Sequence, residues 1–364
     1  FGRIAGVLVG VGESGFPRLL EYYFAPPPPQ SGKNSVDGLD SVVLRIDGTI
    51  KHIPKKSYIE NLDTLPMPGY EYLELEKYPS YDTSKWFNPR NIKISSRQFP
   101  LLTSRSCPNQ CNFCAMRFVM GNRIRFRSAR HVVDEIKYVY DKYGINYFKI
   151  CDDNFTFDRQ RTLEICRLII RNKLKIYFEF PNSLMVKTLD EEVIDNMAEA
   201  GALRFWLAIE SGSEFIRNKI MRKNVSEEKI LEVASLLKKR NVWVSAGFML
   251  GMPEETEESC LDTMRMIEKL DIDYFMLPSH VNPFPGTKLF DQCVRDRLFT
   301  SAMSIGDLWK GDFSYTSAGP DDFLIKPYNM EITKLKEYDQ KIKALMLQKN
   351  SAWEKHRAEA TIRL

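Results

Sequence analysis

Three of the chain's seven cysteines lie within eight positions, in the segment SCPNQCNFCAM (106–116). Cys107, Cys111 and Cys114 have the spacing C-x₃-C-x₂-C. Cysteines that occur singly are usually small buried hydrophobic residues, and this interpretation suits the other four, Cys151, Cys166, Cys260 and Cys293. This interpretation does not suit the three neighbouring cysteines, because the loop around them is polar and contains proline and asparagine. These three cysteines are therefore expected to bind a metal or to react.

An iron–sulfur cluster explains three closely spaced thiols better than zinc does. A structural zinc site needs four closed ligands, and the histidines at positions 52, 131, 280 and 356 form no pair at ligand spacing. Three thiolates on a cubane leave one iron open. An open iron can coordinate a substrate or a cofactor, whereas a simple electron carrier normally has protein ligands on every iron. An electron-transfer protein is thus a remote alternative.

Six strand-like segments, each followed by a helical segment, make up the chain from residue 99 onward. The strands are predicted over 99–105, 145–151, 175–180, 203–209, 242–250 and 273–279. The helices are predicted between Ser128 and Gly144, over 159–172, over 190–200 before Gly201, up to about 239, over 256–270 and over 287–296. Apolar strands separated by amphipathic helices indicate a parallel sheet covered by helices. A partial (β/α)₆ barrel and an open doubly wound sheet both fit, and both place sites at the carboxyl ends of strands.

The cysteine spacing, with the aromatic Phe113 before the last cysteine, resembles the signature of the radical S-adenosylmethionine (radical SAM) enzymes. The resemblance extends from about residue 95 to about 297. It implies an α/β fold, a partial (β/α)₆ TIM-like barrel. It also implies that Cys107, Cys111 and Cys114 hold a 4Fe–4S cluster whose fourth iron is chelated by SAM, with Phe113 beside the cofactor.

The ends of the second and third strands can be compared with the SAM-binding segments of that family. The second strand ends in CDDNF, where the family binds the SAM amino group. Asp152 or Asp153 is expected to accept from that ammonium, with N-capping of the next helix as the alternative. The third strand ends in FPNS, where Asn182 and Ser183 either contact ribose or form a simple turn.

The fourth strand ends in AIESGS, and Glu210 matches a polar residue that contacts SAM in similar enzymes. Twelve residues later, Arg222 matches an arginine that pairs with the SAM carboxylate, and the planar guanidinium suits bidentate pairing. Lys223 is the fallback for this role. A solvated helix end is the other interpretation of both residues.

The fifth strand ends in GFMLGMPE, which matches the family pattern G-x-I-x-G-x-x-E with Met249 in the isoleucine position. Gly247 and Gly251 would let the backbone approach the adenine. Together, CDDNF, IESGS, GMPEET and NPFPGT resemble the cobalamin-binding branch of the family and its methylthiotransferase relatives.

Four segments are predicted along the chain. Residues 1–36 resemble a remnant of a doubly wound, cobalamin-binding-like domain with a linker, and residues 37–94 a connector with a β-hairpin turning at Asp47-Gly48. Residues 95–297 are the predicted radical SAM barrel, and residues 298–364 a C-terminal helical extension with a helix over 331–356. No D-x-H-x-x-G segment is present that could offer a histidine to cobalt. Since the chain begins at Phe1, we expect that most of a cobalamin domain has been removed.

The resemblance also implies a reaction. A reduced cluster would cleave SAM to methionine and a 5′-deoxyadenosyl radical, which abstracts hydrogen from a substrate. In a full-length protein with cobalamin, this would lead to methyl transfer or C–C bond chemistry. A methylthiotransferase acting on tRNA or protein is the alternative, disfavoured because residues 1–98 contain no cysteine and the C-terminus is predicted to be helical. No catalytic residue beyond the cofactor ligands can be assigned.

The composition is that of an ordinary globular protein. The 364 residues are 43% hydrophobic and 27% charged, and the net charge of +4 is too small to indicate nucleic acid as a partner. The longest apolar runs are far below the ~20 residues of a membrane-spanning helix. The odd, uneven set of cysteines argues against a disulfide framework and favours the cytoplasm. Expected partners are a small-molecule or peptide substrate and an external one-electron reductant of the flavodoxin or ferredoxin type.

Overall fold

The structure is a computed structural model that describes residues 6–8, 12–13, 15–25, 36, 38–46, 48–55, 58–78, 80, 93–300 and 323–362, with side chains of the last helix described to residue 351. The barrel segment contains β4 (Gln98–Leu101), β5 (Ser104–Arg105), α2 (Met116–Met120), β6 (Arg125–Phe126), α3 (Ala129–Tyr143), β7 (Tyr147–Ile150), α4 (Arg159–Arg171), β8 (Tyr177–Glu179), α5 (Glu191–Ala200), β9 (Ala202–Glu210), α6 (Glu227–Lys238), β10 (Trp243–Leu250), α7 (Glu257–Lys269), β11 (Tyr274–Phe275), β12 (Ser279–His280) and α8 (Lys288–Arg295).

The main sheet has the strand order β4-β7-β8-β9-β10-β11, and every neighbouring pair is parallel. β12 continues beside β10 beyond the end of β11. A doubly wound sheet reverses its strand order at a switch point, and this sheet does not. The fold is therefore α/β with a partial (β/α)₆ TIM-type arrangement, as predicted. All the carboxyl ends of its strands lie at one edge.

The longest strand, β9, shows how the two faces of the sheet differ. Phe205, Leu207 and Ile209 are buried in the main hydrophobic core under the helices. The alternate residues Trp206 and Glu210 are only partly buried, because they point to the concave face. This face is where a ligand can reach the side chains at the strand ends.

The helix boundaries agree with the signals in the sequence. Ser128 caps α3 by accepting from the backbone N–H of His131, and α3 ends at Gly144 in the left-handed region. Asp190 caps α5 in the same way, and Gly201 ends it with φ +119°. These local signals fix where each helix begins and ends, and thus where each following strand enters the sheet.

The last helix, α9 (Ile332–Ile362), packs against α7 and the edge strand β11. Leu335, Ile342 and Met346 are fully buried in the main core, so one face of this helix is apolar and packed. The amide of Asn350 donates to the carbonyl of Phe275 and accepts from its backbone N–H, at 2.9 and 2.8 Å. The helix therefore pairs the exposed backbone of the sheet edge.

The N-terminal segment forms a small separate sheet of β1 (Gly6–Leu8), β2 (Val42–Ile46) and β3 (Thr49–Ile53), with α1 (Gly15–Phe24) beside it. The predicted hairpin is present, since Ile46 pairs with Thr49 across Asp47-Gly48 and Gly48 has φ +79°. β1 pairs antiparallel with β2. Membership of a doubly wound domain and the four segment boundaries stay predictions, and the predicted linker (26–35) lies outside the described residues.

Replacing Gly201 with alanine is expected to destabilise the fold more than the same change at Gly144. Both residues have positive φ, which costs about 1 kcal/mol for alanine. At Gly201 a Cβ would also lie 2.2 Å from the carbonyl oxygen of Ile176, whereas at Gly144 it would meet nothing within 4 Å. We expect Gly201→Ala to lower the free energy of unfolding by about 1–3 kcal/mol more than Gly144→Ala. Urea unfolding of the two variants measures this, and equal losses would contradict it.

Candidate functional site

The cysteine loop begins directly after β4 and β5, at the carboxyl edge of the main sheet. Cys107, Cys111 and Cys114 are all unpaired and partly exposed. The backbone N–H of Cys114 donates to the carbonyl of Cys111 at 3.2 Å, which folds the loop into a turn. The backbone carbonyl of Asn112 accepts from the backbone N–H of Leu289 at 3.1 Å and so attaches the loop to α8. The loop is thus held from both sides of the barrel mouth.

The three thiols lie close enough to influence one another. Burial raises the pKa of Cys111 to about 11, with the neighbouring thiols adding to this effect and Lys223 opposing it. Burial, together with Cys107 and Asp153, also raises the pKa of Cys114. Burial therefore favours the protonated forms of Cys111 and Cys114, and metal binding must release their protons.

The arrangement of the thiols fits a cubane. Within the described ranges, no three His, Cys, Asp or Glu side chains surround one point closely enough to hold a single metal ion. On a cubane each thiolate binds a different iron, so the three sulfurs need not converge on one point. The soft donor set and the partial exposure both suit an iron–sulfur cluster with an open iron.

The two aspartates after β7, Asp152 and Asp153, have different surroundings in the structure. Asp152 is buried and accepts from the backbone N–H and the hydroxyl of Thr103 and from the hydroxyl of Ser104, each at 2.6 Å. Burial raises its pKa, although these hydrogen bonds oppose the effect. Its oxygens are occupied in joining the ends of β4 and β7. It does not cap α4, since the N-cap residue is Asp158.

Asp153 faces the cysteine loop. It is partly buried, accepts from the backbone N–H of Ser106, and lies near the thiol of Cys114. Burial and the charge of Asp152 raise its pKa. Of the two aspartates, only Asp153 therefore has room for a ligand.

An ion pair between Lys223 and Glu210 lies beside the cysteines. Lys223 Nζ donates to Glu210 Oε1 at 2.9 Å, and both side chains are largely buried. Burial lowers the pKa of Lys223, but the charges of Glu210 and the thiols Cys111 and Cys107 outweigh this and raise it. The ammonium stays charged and places one positive charge next to the thiols.

Arg222 and Lys223, the two candidates for the SAM carboxylate, have different surroundings. Arg222 is exposed, has φ +63°, and makes no hydrogen bond or ion pair with the part of the chain that the structure describes. Lys223, the fallback, is the residue that reaches the cysteines and Glu210. Adjacent residues in this turn point in opposite directions, so the sequence alone could not choose between them.

A buried arginine that the sequence did not reveal builds the turn between Glu210 and Lys223. The guanidinium of Arg217, fully buried, donates to the carbonyls of Ser211, Gly212 and Val225 at 2.8–3.0 Å. These bonds hold the π-helical turn Phe215–Ile220 against the end of β9. Arg217 therefore fixes the positions from which Glu210 and Lys223 extend.

A ligand can approach the backbone closely at the end of β10. A Cβ on Gly247 would meet only the sulfur of Met276, at 4.0 Å, so the concave face is open there. Gly251 has φ +98° and packs against Phe323, where a Cβ would lie 2.8 Å away. Phe113 and Met249 are partly buried against one apolar cluster beneath the cysteine loop. A planar ligand on the concave face can therefore approach the backbone at Gly247, whereas Phe248, Leu250 and Gly251 are buried.

Three further polar residues belong to this edge, two of them expected from the sequence and one missed. The amide of Asn182 donates to the carbonyl of Cys151 at 2.8 Å, and Ser183, at φ +67°, closes a turn onto Phe180. The structure thus gives FPNS the role of a turn. Asn154, not assigned from the sequence, is fully buried, and its Oδ1 has no hydrogen-bond partner in the described parts of the chain. A buried amide oxygen without a donor can accept from a ligand.

Residues 101–267 match the model of the Radical SAM superfamily. An uncharacterised methyltransferase of Pyrococcus horikoshii is 28% identical over 295 residues, 81% of this chain and 59% of that protein. The cytidylyl-2-hydroxyethylphosphonate methyltransferase of Streptomyces wedmorensis is 30% identical over 256 residues, 68% of this chain and 46% of that protein. This chain spans about half the length of the curated relatives it matches. Relatives described as methylthiotransferases align over 52% of this chain.

Solved structures confirm the fold. The radical S-adenosylmethionine methyltransferase TsrM of Kitasatospora setae, with tryptophan substrate and a SAM analogue bound, superposes with a TM-score of 0.62 at 16% identity. The match covers 92% of this chain and 61% of that chain. A structure of the same enzyme with cobalamin and a [4Fe-4S] cluster gives a TM-score of 0.60 at 19% identity, covering 92% and 62% of the two chains.

Glu255 supports the end of β10 and is expected to make stability depend on pH. It accepts from the backbone N–H of Gly251 at 3.3 Å and from the hydroxyl of Ser259 at 2.7 Å. Burial raises its pKa from 4.5 to about 7. An acid with a raised folded-state pKa stabilises the fold fully below its unfolded pKa and loses this contribution as pH rises through the folded value. Stability should therefore fall between about pH 4.5 and pH 7.

Urea unfolding of wild type and Glu255→Gln across this pH range measures the effect. Relative to the variant, wild type should lose about 3 kcal/mol of unfolding free energy from the acidic to the neutral end. Glu258→Gln, at an exposed position three residues later in α7, is the matched control. A constant difference between wild type and Glu255→Gln over the whole range would contradict the prediction.

Proposed function

Residues 101–267 of this chain are a radical SAM domain, and on that basis we propose that the chain is the catalytic core of a radical SAM methyltransferase. The observation that carries the proposal is the set of three partly exposed cysteines at the carboxyl edge of a parallel barrel, bordered by Lys223 and by the partly exposed carboxylate of Asp153. This arrangement provides an open iron and charged groups for an amino-acid-like ligand on that iron.

The family implies two cofactors, a 4Fe–4S cluster and SAM. We assign the cluster to Cys107, Cys111 and Cys114. When bound, the cluster supplies the electron for reductive cleavage of SAM. The chain itself binds, orients and shields the ligand. No side chain is assigned to hydrogen abstraction from the substrate.

The side chains around the cysteines match the polar groups of SAM. We assign the SAM ammonium to Asp153, with the orphaned Oδ1 of Asn154 as a second acceptor. We assign the SAM carboxylate to Lys223. Its ion-pair partner Glu210 keeps the ammonium oriented, and the ammonium can bind Glu210 and the SAM carboxylate at the same time. The open backbone at Gly247, beside Met249, is the proposed adenine contact.

We propose cobalamin as a cofactor of a longer protein that contains this chain. TsrM, whose solved structure contains cobalamin and a cluster, shares the fold across most of this chain. Methyl transfer through cobalamin agrees with the names of two relatives, which are methyltransferases, whereas two relatives that align over 71% of this chain are named anaerobic magnesium-protoporphyrin IX monomethyl ester cyclases. No contact among the described residues favours a methylthiotransferase on tRNA or protein, and relatives with methylthio chemistry in their names match 52% of this chain.

The proposed partners are a small molecule and a one-electron donor. The concave face below the cysteines is the space available for a substrate, and a peptide end is the alternative occupant. The described helices include none long and apolar enough to cross a bilayer. A reducing, cytoplasmic setting stays a prediction from cysteine usage, since all seven cysteines are free thiols.

Anaerobic reconstitution tests the cluster assignment. Wild type is expected to bind about four irons, and SAM should change the electron paramagnetic resonance spectrum of the reduced cluster because one iron is open. Serine at Cys107, Cys111 or Cys114 should abolish both signals. Cys166→Ser and Cys293→Ser, at buried positions of α4 and α8, are the controls. Stoichiometric zinc without iron would contradict the proposal, and detection of 5′-deoxyadenosine would extend it to activity.

Lys223→Met is expected to weaken SAM binding while the cluster remains. A hydrogen bond to a charged group contributes about 1.5–3 kcal/mol, so the dissociation constant should rise by roughly ten- to a hundredfold. Arg222→Met removes the same charge one residue earlier and should leave the affinity unchanged, since Arg222 is exposed. Calorimetric titration of the reconstituted proteins with SAM measures both. The opposite ranking of the two variants would restore the original assignment to Arg222.

A further inference from the structure

One of the three cysteines differs from the other two in its surroundings. The amide nitrogen of Asn109 lies 3.0 Å from Sγ of Cys107, within hydrogen-bond reach of the sulfur. Among the side chains that the structure describes, nitrogen donors hydrogen-bond to Cys107 and not to Cys111 or Cys114. Cys107 is therefore the thiol with side-chain amide partners, whereas Cys114 accepts from the backbone N–H of Met116.

The orientation of the Asn109 amide is determined by a lysine. Nζ of Lys187 donates to Oδ1 of Asn109 at 3.0 Å. An ammonium can only donate, so the amide oxygen must face Lys187 and the NH₂ group must face Cys107 and Met185. This removes the usual ambiguity of amide orientation. The result is a connected path from the Lys187 charge through one amide to the sulfur.

A second amide approaches the same sulfur from the end of β7. Nδ2 of Asn154 lies 3.8 Å from Sγ of Cys107 and 3.1 Å from the sulfur of Met185. Asn154 is fully buried, so its amide cannot turn to solvent. Two amides from separate loops thus converge on Cys107, and the nearer one is polarised by a cation.

Reduction of an iron–sulfur cluster adds negative charge that spreads onto its sulfurs. N–H donors and nearby cations stabilise that charge, and hydrogen bonds to the sulfurs are one of the factors that set the reduction potential. A chain of polarised hydrogen bonds strengthens the terminal donor. The path through Asn109 should therefore favour the reduced cluster.

We propose that Asn109, oriented and polarised by Lys187, raises the reduction potential of the cluster through its hydrogen bond to Cys107. The inference rests on the proposed function, because it requires the cluster. Asn109 is a positioning and tuning residue and contacts no substrate. Through this bond the chain determines how strong a one-electron donor is needed to reduce the cluster.

The test is a potentiometric titration of the reconstituted cluster without SAM, followed by electron paramagnetic resonance. Asn109→Ala should shift the midpoint potential to a more negative value, with the iron content unchanged. Lys187→Met, which leaves the amide in place, should produce a smaller shift in the same direction. Lys187→Arg should restore the wild-type value. Lys175→Met, which removes an exposed charge before β8, is the matched control and should shift nothing.

The outcomes separate this inference from the proposed function. A wild-type chain that binds no iron would overturn both. An unchanged midpoint in an Asn109→Ala protein with full iron content would overturn this inference alone. If Asn109→Ala fails to assemble the cluster, the test rests on Lys187→Met, because Lys187 touches no thiol. A wild-type midpoint potential in Lys187→Met would then reject the proposed path from Lys187 through Asn109 to Cys107. Equal shifts in Lys187→Met and Lys175→Met would also reject it, since they would indicate general surface charge.

Discussion

The hydrogen bonds of the buried Asp152 carboxylate hold together the edge on which the site depends. Its two oxygens accept from Thr103 and Ser104 and thereby join the end of the first barrel strand to the end of the second. Arg161, from the helix after the second strand, donates to the carbonyl of Thr103 at 2.8 Å and closes the same junction. The cysteine loop departs from one side of this junction and Asp153 from the other. Without it, the cluster ligands and the proposed ammonium acceptor would have no fixed separation.

A second buried polar group performs a similar task on the opposite side of the barrel mouth. Arg217 donates to three backbone carbonyls and so holds a turn that would otherwise leave them without donors. This turn carries Glu210 and Lys223 toward the thiols. The site is thus assembled between two polar junctions, each based on one charged side chain that is not itself exposed. Such junctions give the rigidity that a cofactor with several simultaneous contacts requires.

Two further contacts involve the edges of the barrel sheet that carries the site. Asn350 of the last helix pairs with the backbone of Phe275 and covers the far edge of the sheet. On the near side, the Arg105–Glu13 ion pair connects the strand before the cysteine loop to the N-terminal segment. That contact places the N-terminal segment beside the barrel mouth.

The sequence by itself determined the features that depend on local chemistry. The cysteine spacing indicated a cluster, the six apolar strands and capped helices predicted the barrel, and Gly144 and Gly201 marked helix ends, because each signal involves only neighbouring residues. The tertiary structure decided which of Asp152 and Asp153, and which of Arg222 and Lys223, faces the thiols. Adjacent residues point in opposite directions, and the partners that distinguish them lie far away in the chain, as Thr103 does from Asp152. Asn109, Glu255 and Arg217 were missed for the same reason: their roles come from partners and burial that only the folded chain creates.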